Sequence, residues 1–410
     1  MKTLLGPFSQ LLPMRNLPIR GAITDSQLEI IPNGGLVIEN GKIVEIGVFD
    51  SLHQKYKSEG IKVEEVENES VALPGFVDAH THICFGGSRA MDFAARNGGI
   101  SYLEIAKAGG GIWSTVKHTR QASQADLVEI TKFRMDKLLR NGITTVEVKS
   151  GYGLSLEEEL KMLRAINQAN SEHPIDTIAT CLAAHIVPKD FGGGESAYLD
   201  MILQELVPII QKEKLCNRFD IFIEDSAFSE SESERYLKVL KQKGFDLTAH
   251  GDQFTTGGSQ VAINCGARSV DHLEVSGERE IANLAKSQVI PVALPGASLG
   301  VGCDLTPARK LLDAGCSLAI ASDWNPGSAP QGNLLAQASI LSCFEKLSAA
   351  EVFAGITFRA GNALGVGNIG RLDMGFKADL VSFPCSDYQE ILYHQGELKA
   401  GKVWKKGVGL

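Results

Sequence analysis

Pro74-Gly-Phe-Val-Asp-Ala-His-Thr-His82 is a short apolar run that ends in two histidines one residue apart. On a strand, residues i and i+2 point the same way, so His80 and His82 aim together from its end. Seven more apolar, β-branched runs follow, at 143–149, 177–184, 219–224, 245–250, 267–272, 289–294 and 317–322. Each is succeeded by a polar or glycine-rich loop and then by a helical pattern. Near-continuous apolar runs are how parallel strands buried on both faces read, and their alternation with helices implies βαβ units. Eight such units predict a (β/α)8 TIM-type barrel of the α/β class. The alternative, an open doubly wound sheet, is weakened because no GxGxxG follows the first run. Between the runs, 126–139 reads as an amphipathic helix that stops at Asn141-Gly142. Ser155-Leu-Glu-Glu158 reads as a capping box opening a helix over 157–167, with Leu160, Leu163 and Ile166 at helical spacing.

Both ends of the chain look different. Residues 36–44 are two short β-type runs around Asn40-Gly41, a strong hairpin signal. Residues 378–383 and 402–404 are similar short strands near the other terminus. These predict a small β-sandwich domain made from both termini, with boundaries at 1–73 and 364–410 flanking a catalytic barrel at 74–363.

Composition bounds the function. Of 410 residues 44% are hydrophobic and 22% charged, which excludes disorder for most of the chain. The net charge of −9, with no basic stretch, argues against a nucleic-acid or anionic-membrane binder. Eight cysteines form no CxxC pair and read as reduced thiols. The first residues are broken by Gly6, Pro7 and Ser9, so no signal peptide is expected. The run 289–302 is broken by Pro291, Pro295 and Ser298 and is too short for a membrane span. A cytoplasmic enzyme acting on a small molecule is expected, with a symmetric homodimer as the default assembly. Ser229–Glu234 reads as a solvated first helical turn. The glycines at 109–111 and 192–194 lack the following Lys-Ser/Thr of a phosphate cradle.

The histidines carry the chemistry. Of nine, His80, His82, His250 and His272 end apolar runs and His185 immediately follows one. In a barrel those ends converge on one face, where active sites lie. His53, His118, His173 and His394 fall in loops or helices and read as surface or capping groups. The eighth run leads into Asp323, an ionisable group that needs a partner if buried. Three histidines and one aspartate suit a single divalent ion, Zn2+ or iron, with a position left for water. Such an ion activates water and polarises carbonyls. The fourth run ends Ile223-Glu224-Asp225 without a lysine that could bridge two ions, so one metal is expected. A third histidine disfavours the two-histidine, one-carboxylate iron oxygenases.

This pattern resembles the amidohydrolase superfamily and, more narrowly, the imidazolonepropionase family over nearly the whole chain. The resemblance is carried by the segments 78–89, 106–112, 147–154, 184–185, 250–254, 269–274 and 322–328. It implies hydrolysis of the ring C–N amide bond of 4-imidazolone-5-propanoate to N-formimidoyl-L-glutamate. It implies metal ligands at His80, His82, His250 and Asp323, and substrate contacts at Arg89, Tyr152, His185, Gln253, Asn325, Gly327 and Ser328. The chemistry of these residue types agrees. The fork of Arg89 matches a propionate. Tyr152 lies between glycines that let its ring reach a ligand. His185 is expected to donate to the oxyanion that develops at the ring carbonyl. Gln253 stands where many ring-deaminating relatives carry a glutamate, and an amide cannot shuttle protons. Proton transfer then falls to Asp323, with His272 as its partner. The alternatives are a deaminase of a purine- or pyrimidine-like ring and a metal-free binding scaffold.

Overall fold

A computed structural model describes residues 2–100, 104 and 109–410. The first five strands are β1 (Thr3–Leu11), β2 (Ile31–Glu39), β3 (Lys42–Val48), β4 (Lys62–Glu65) and β5 (Val71–Pro74). The last three are β14 (Leu380–Phe383), β15 (Lys402–Lys405) and β16 (Val408–Gly409). Together they make one mostly antiparallel eight-stranded sheet, ordered β16-β15-β14-β5-β1-β2-β3 with β4 beside β1. β1 changes partner along its length: Thr3–Gly6 run parallel to β4, and Gln10 and Leu11 parallel to β5. The β2–β3 turn is Asn40-Gly41, both at positive φ (50° and 75°). That is the twist a two-residue hairpin needs, and it is why the pair is Asn-Gly. The strands of both termini therefore share one eight-stranded sheet.

Between these strands lie β6 (Phe76–Asp78), β7 (Ile143–Lys149), β8 (Asp176–Ala184), β9 (Arg218–Ile221), β10 (Asp246–Gly251), β11 (Ser269–His272), β12 (Ile290–Ala293) and β13 (Ala319–Ile320). They pair in parallel in sequence order. The eight apolar runs are these eight strands. The Asp323 N–H donates to the His80 carbonyl and the His82 N–H to that of Trp324, at 3.0 and 2.9 Å. Thr81 also bridges Trp324. These bonds tie the last strand's end to the first and close the barrel.

All seven residues of β7 are buried. Val146 and Val148 pack into the main core between strands and helices, whereas Glu147 and Lys149 face inward, where they ion-pair. Glu274, Asp271, Asp220 and Arg218 are likewise buried. The barrel's interior is thus apolar at its flanks and charged under its mouth.

Two helix starts differ in detail from their reading. Ser123 and Asp126 form a reciprocal capping box for the helix Gln124–Arg140. Ser155 does sit at the N-cap of Leu156–Glu172, but its side chain makes no cap bond. Glu158 pairs with Lys161 instead. Glu159, in the first turn, accepts the N–H groups of Gly151, Gly153 and Leu154 in the loop before the helix, at 2.7–3.1 Å. The loop after β7 folds back over the helix, so its own N–H groups need an acceptor. Residues 106–108 of the glycine-rich 106–112 segment lie outside the described residues.

Among the described residues, no helix is long and apolar enough to cross a membrane. All eight cysteines are free.

Candidate metal and active site

His80 and His82 leave the end of β6, His250 lies within β10, and Asp323 follows β13. The Nε2 atoms of His80 and His82 stand 3.1 Å apart, and those of His250 and His82 3.4 Å. Asp323 Oδ1 lies 3.4 Å from both His80 Nε2 and His82 Nε2. Ligand atoms ~2.0–2.1 Å from one ion in a tetrahedron stand about 3.4 Å from each other, so this spacing fits a zinc-sized ion. The ring nitrogens of the buried His80, His82 and His250 lie close enough together to hold a metal ion.

Outer partners decide which ring nitrogens face the centre. Asp271 Oδ2 lies 2.6 Å from His80 Nδ1, and Asp220 Oδ2 lies 3.0 Å from His250 Nδ1. A carboxylate can only accept, so each Nδ1 carries the proton and each Nε2 turns its lone pair inward. His82 Nδ1 has no such partner. Burial drives His82 well below the ordinary imidazole range, which keeps it neutral and able to ligate. Burial also works against the charge of Asp323, but the imidazoles of His80 and His82 outweigh it and hold the carboxyl well below its usual range.

Asp323 has φ +50°, a conformation that costs a non-glycine residue free energy and persists only where neighbours fix it. The fixing groups are visible. Asn325 Nδ2 donates to the Asp323 carbonyl at 2.7 Å, to Asp323 Oδ2 at 2.8 Å and to Ser328 Oγ at 2.8 Å. Asn325 Oδ1 accepts the N–H groups of Gly327 and Ser328. Asn325, expected at the substrate, is therefore engaged within its own loop and clamps the aspartate.

A cavity of about 480 Å³ opens over this centre. Of the residues singled out from the sequence, His82, Arg89, Tyr152, His185, His250, Gln253, His272, Asp323, Asn325, Gly327 and Ser328 all line it. His80 lies beneath its floor. The four histidines read as surface or capping groups do not reach it.

Two side chains behave otherwise than expected. His185 Nδ1 lies 2.9 Å from the Gly151 carbonyl. A carbonyl cannot donate, so Nδ1 carries the proton and Nε2 is left as an acceptor. Burial, with His250 nearby, pushes this imidazole down to about 4, so it stays neutral. The Nδ1–H of His185, expected to donate to an oxyanion, is thus engaged by a backbone carbonyl. Arg89 directs Nε to Asp92 at 2.9 Å, while its outer nitrogens lie against Gly327, where a Cβ would meet Nη1 at 2.2 Å. Asp92 also accepts the Gly111 N–H at 2.8 Å.

His272 lies at the end of β11 and lines the cavity. Its Nδ1 lies 3.2 Å from the buried Glu274, which also accepts from Ser298 Oγ. Burial opposes protonation of His272, but the carboxylates of Glu274 and Asp323 outweigh it and raise its pKa. Its backbone, at φ +86°, is also strained.

Sequence reasoning missed Arg96, Glu224 and Lys149. Arg96 lines the cavity and donates to the Gly300 carbonyl at 2.7 Å. It sits seven residues after Arg89, two helical turns along the same face, and that spacing was the available signal. Glu224 accepts the N–H groups of Gln253, Phe254 and Thr255 at 2.9–3.1 Å, and so holds the loop after β10.

The amidohydrolase family model matches residues 106–408. Imidazolonepropionase of Bdellovibrio bacteriovorus is 38% identical, over 99% of this chain and 96% of its own length. That of Symbiobacterium thermophilum is 39% identical, over 97% and 94%. Similar solved structures include an adenosine deaminase from Xanthomonas campestris with bound zinc, at TM-score 0.71 and 17% identity over 99% of this chain and 92% of that one. An atrazine chlorohydrolase from Arthrobacter aurescens complexed with zinc has TM-score 0.70 and 16% identity, over 100% and 95%. The solved structures share the fold, and the curated relatives share the sequence across that fold from end to end: the chain belongs to the imidazolonepropionase family of the amidohydrolases.

Proposed function

We propose that the chain opens 4-imidazolone-5-propanoate with water to give N-formimidoyl-L-glutamate, with its residues acting as follows. The observation that carries this reading is the cavity itself. Two of the three inward-facing imidazoles, those of His82 and His250, line one space with a clamped aspartate and two arginines, in a chain that matches imidazolonepropionases along its length.

His80, His82, His250 and Asp323 would hold one divalent ion, zinc or iron. When bound, it supplies Lewis acidity and a water nucleophile near neutral pH. Asp323 Oδ2, oriented by Asn325 and Ser328, accepts the proton of the attacking water. The water oxygen bonds to the ring carbonyl carbon. His272, backed by Glu274, donates to the oxygen on which charge develops. The C–N bond breaks, Asp323 returns the proton to the leaving amidine nitrogen, and the carbonyl carbon becomes the new carboxylate. His185 Nε2 accepts a ring N–H, and Tyr152 walls the ring. Gln253 holds the ring through its amide and cannot shuttle a proton, which favours ring opening over deamination. Arg89 and Arg96 at the mouth receive the propionate.

The test follows ultraviolet loss of imidazolonepropionate made in situ from urocanate. Turnover that a chelator abolishes and zinc or iron restores supports the reading. No turnover of this compound, with ammonia released from guanine or cytosine, overturns it.

A further inference from the structure

We propose that Lys149 is a positioning residue of the metal centre, acting through the two aspartates that orient His80 and His250. Its side chain is fully buried at the end of β7 and does not line the cavity. Burying an ammonium costs several kcal/mol unless partners compensate, so its surroundings must explain it. Nζ lies 2.7 Å from Glu147 Oε2, 2.8 Å from Asp220 Oδ2 and 3.7 Å from Asp271 Oδ2. Those two aspartate oxygens are the same atoms that face the Nδ1 groups of His250 and His80. One lysine therefore joins both carboxylate–imidazole pairs. Glu147 is fixed in turn by Arg218 Nε at 3.1 Å and Thr180 Oγ1 at 2.6 Å.

The physical consequence is specific. Without the ammonium, Asp220 and Asp271 are two buried carboxylates that repel each other. That repulsion turns a carboxylate away from the ring it faces. The Nδ1–H then loses its acceptor and the imidazole can rotate, so that Nε2 no longer faces the centre. His82 has no outer partner at Nδ1, so the orientation of the triad rests on the two rings that Lys149 controls. Losing outer partners of ligating histidines costs about 10–100-fold in metal affinity.

This inference rests on the metal-centre reading above, and the experiment separates the two. Zinc affinity is measured by competition with a chromogenic chelator, alongside thermal unfolding with and without zinc. The proteins are wild type, Lys149→Met, Glu147→Gln and the double variant Lys149→Met/Glu147→Gln. The double variant removes one charge of each sign, so it keeps the net charge of the buried cluster if the single lysine variant fails to fold. A positioning role predicts zinc binding weakened about 10–100-fold in both lysine variants, while Glu147→Gln stays within about threefold of wild type. It also predicts a smaller zinc-induced rise in Tm for the double variant than for wild type. A purely structural role would lower both melting curves equally and leave zinc affinity unmoved, and that result overturns the proposal. So would a double variant that is unfolded with and without zinc. Wild type that takes up neither zinc nor iron sinks the metal-centre reading itself.

Discussion

Asp323 shows how neighbours fix one carboxylate. One carboxylate oxygen faces the imidazoles and the other is held by Asn325 and Ser328. Asp323→Asn is nearly isosteric but cannot accept a proton from water. It should retain the barrel and lose at least ~10²-fold in turnover, the lower end for a general base. Steady-state kinetics at matched metal content checks this, and near-normal turnover would move the base to His272. Gly327 makes a second test. A Cβ there would meet Arg89 Nη1 at 2.2 Å, so Gly327→Ala must displace the guanidinium. Arg89→Ala should cost about 2–5 kcal/mol in kcat/KM, as for one member of a buried charged pair. Gly327→Ala should weaken the same substrate in the same direction. An analogue with the propionate esterified should be insensitive to both changes; equal losses on both compounds would make Arg89 a partner of Asp92 only. At this scale the sequence showed which side chains gather, because strand ends and histidines are both legible. It could not show their tautomers. The acceptor role of His185 follows from a backbone carbonyl, Gly151, that no residue pattern exposes.

The elements follow the same division. The eight barrel strands were readable because burial on both faces forces near-continuous apolar runs, and the terminal hairpin because Asn40-Gly41 demands positive φ. What escaped were charged residues within those runs. Lys149 and Glu147 lie at the end of an otherwise uncharged strand, and the aspartates that pair with Lys149, Asp220 and Asp271, come from strands distant in sequence. Asp176, at the start of β8, joins barrel to terminal sheet by accepting from Lys377 at 2.6 Å and Lys405 at 2.9 Å. Burial opposes its charge, yet the two lysines prevail and lower its pKa. A carboxyl depressed in the folded state contributes stability above its unfolded pKa and loses it as pH falls through the folded value. Asp176→Asn should therefore destabilise by about 1–2 kcal/mol at neutral pH. The difference from wild type should hold down to about pH 5 and shrink only below about pH 4, the ordinary carboxylate range. Urea midpoints across that range measure it, and a difference that instead grows on acidification would deny the pair its role.

Over the whole molecule, closure of the barrel and assembly of the centre are one arrangement. The backbone bonds that join Asp323 to His80 and His82 to Trp324 also set the ligand side chains on those residues side by side. The bonds that close the barrel run between backbone groups and not through the ligand side chains. Removing metal should accordingly leave the far-ultraviolet dichroism of the barrel intact while abolishing turnover. Adding zinc or iron back should raise Tm in step with metal concentration, because an ion that binds only the folded state stabilises it by mass action. At a free concentration a hundredfold above Kd, that stabilisation is about 2.7 kcal/mol. The stoichiometry should be one ion per chain, since the described residues form one such histidine group and Lys149 is enclosed by carboxylates, so it cannot bridge to a second ion. Elemental analysis of protein as isolated, paired with melting curves of chelated and reconstituted samples, tests each part. Two tightly held ions would require ligands beyond these four residues. Full turnover in metal-free protein would leave Asp323 and His272 to activate water unaided, and the three converging imidazoles would then have no role in the reaction.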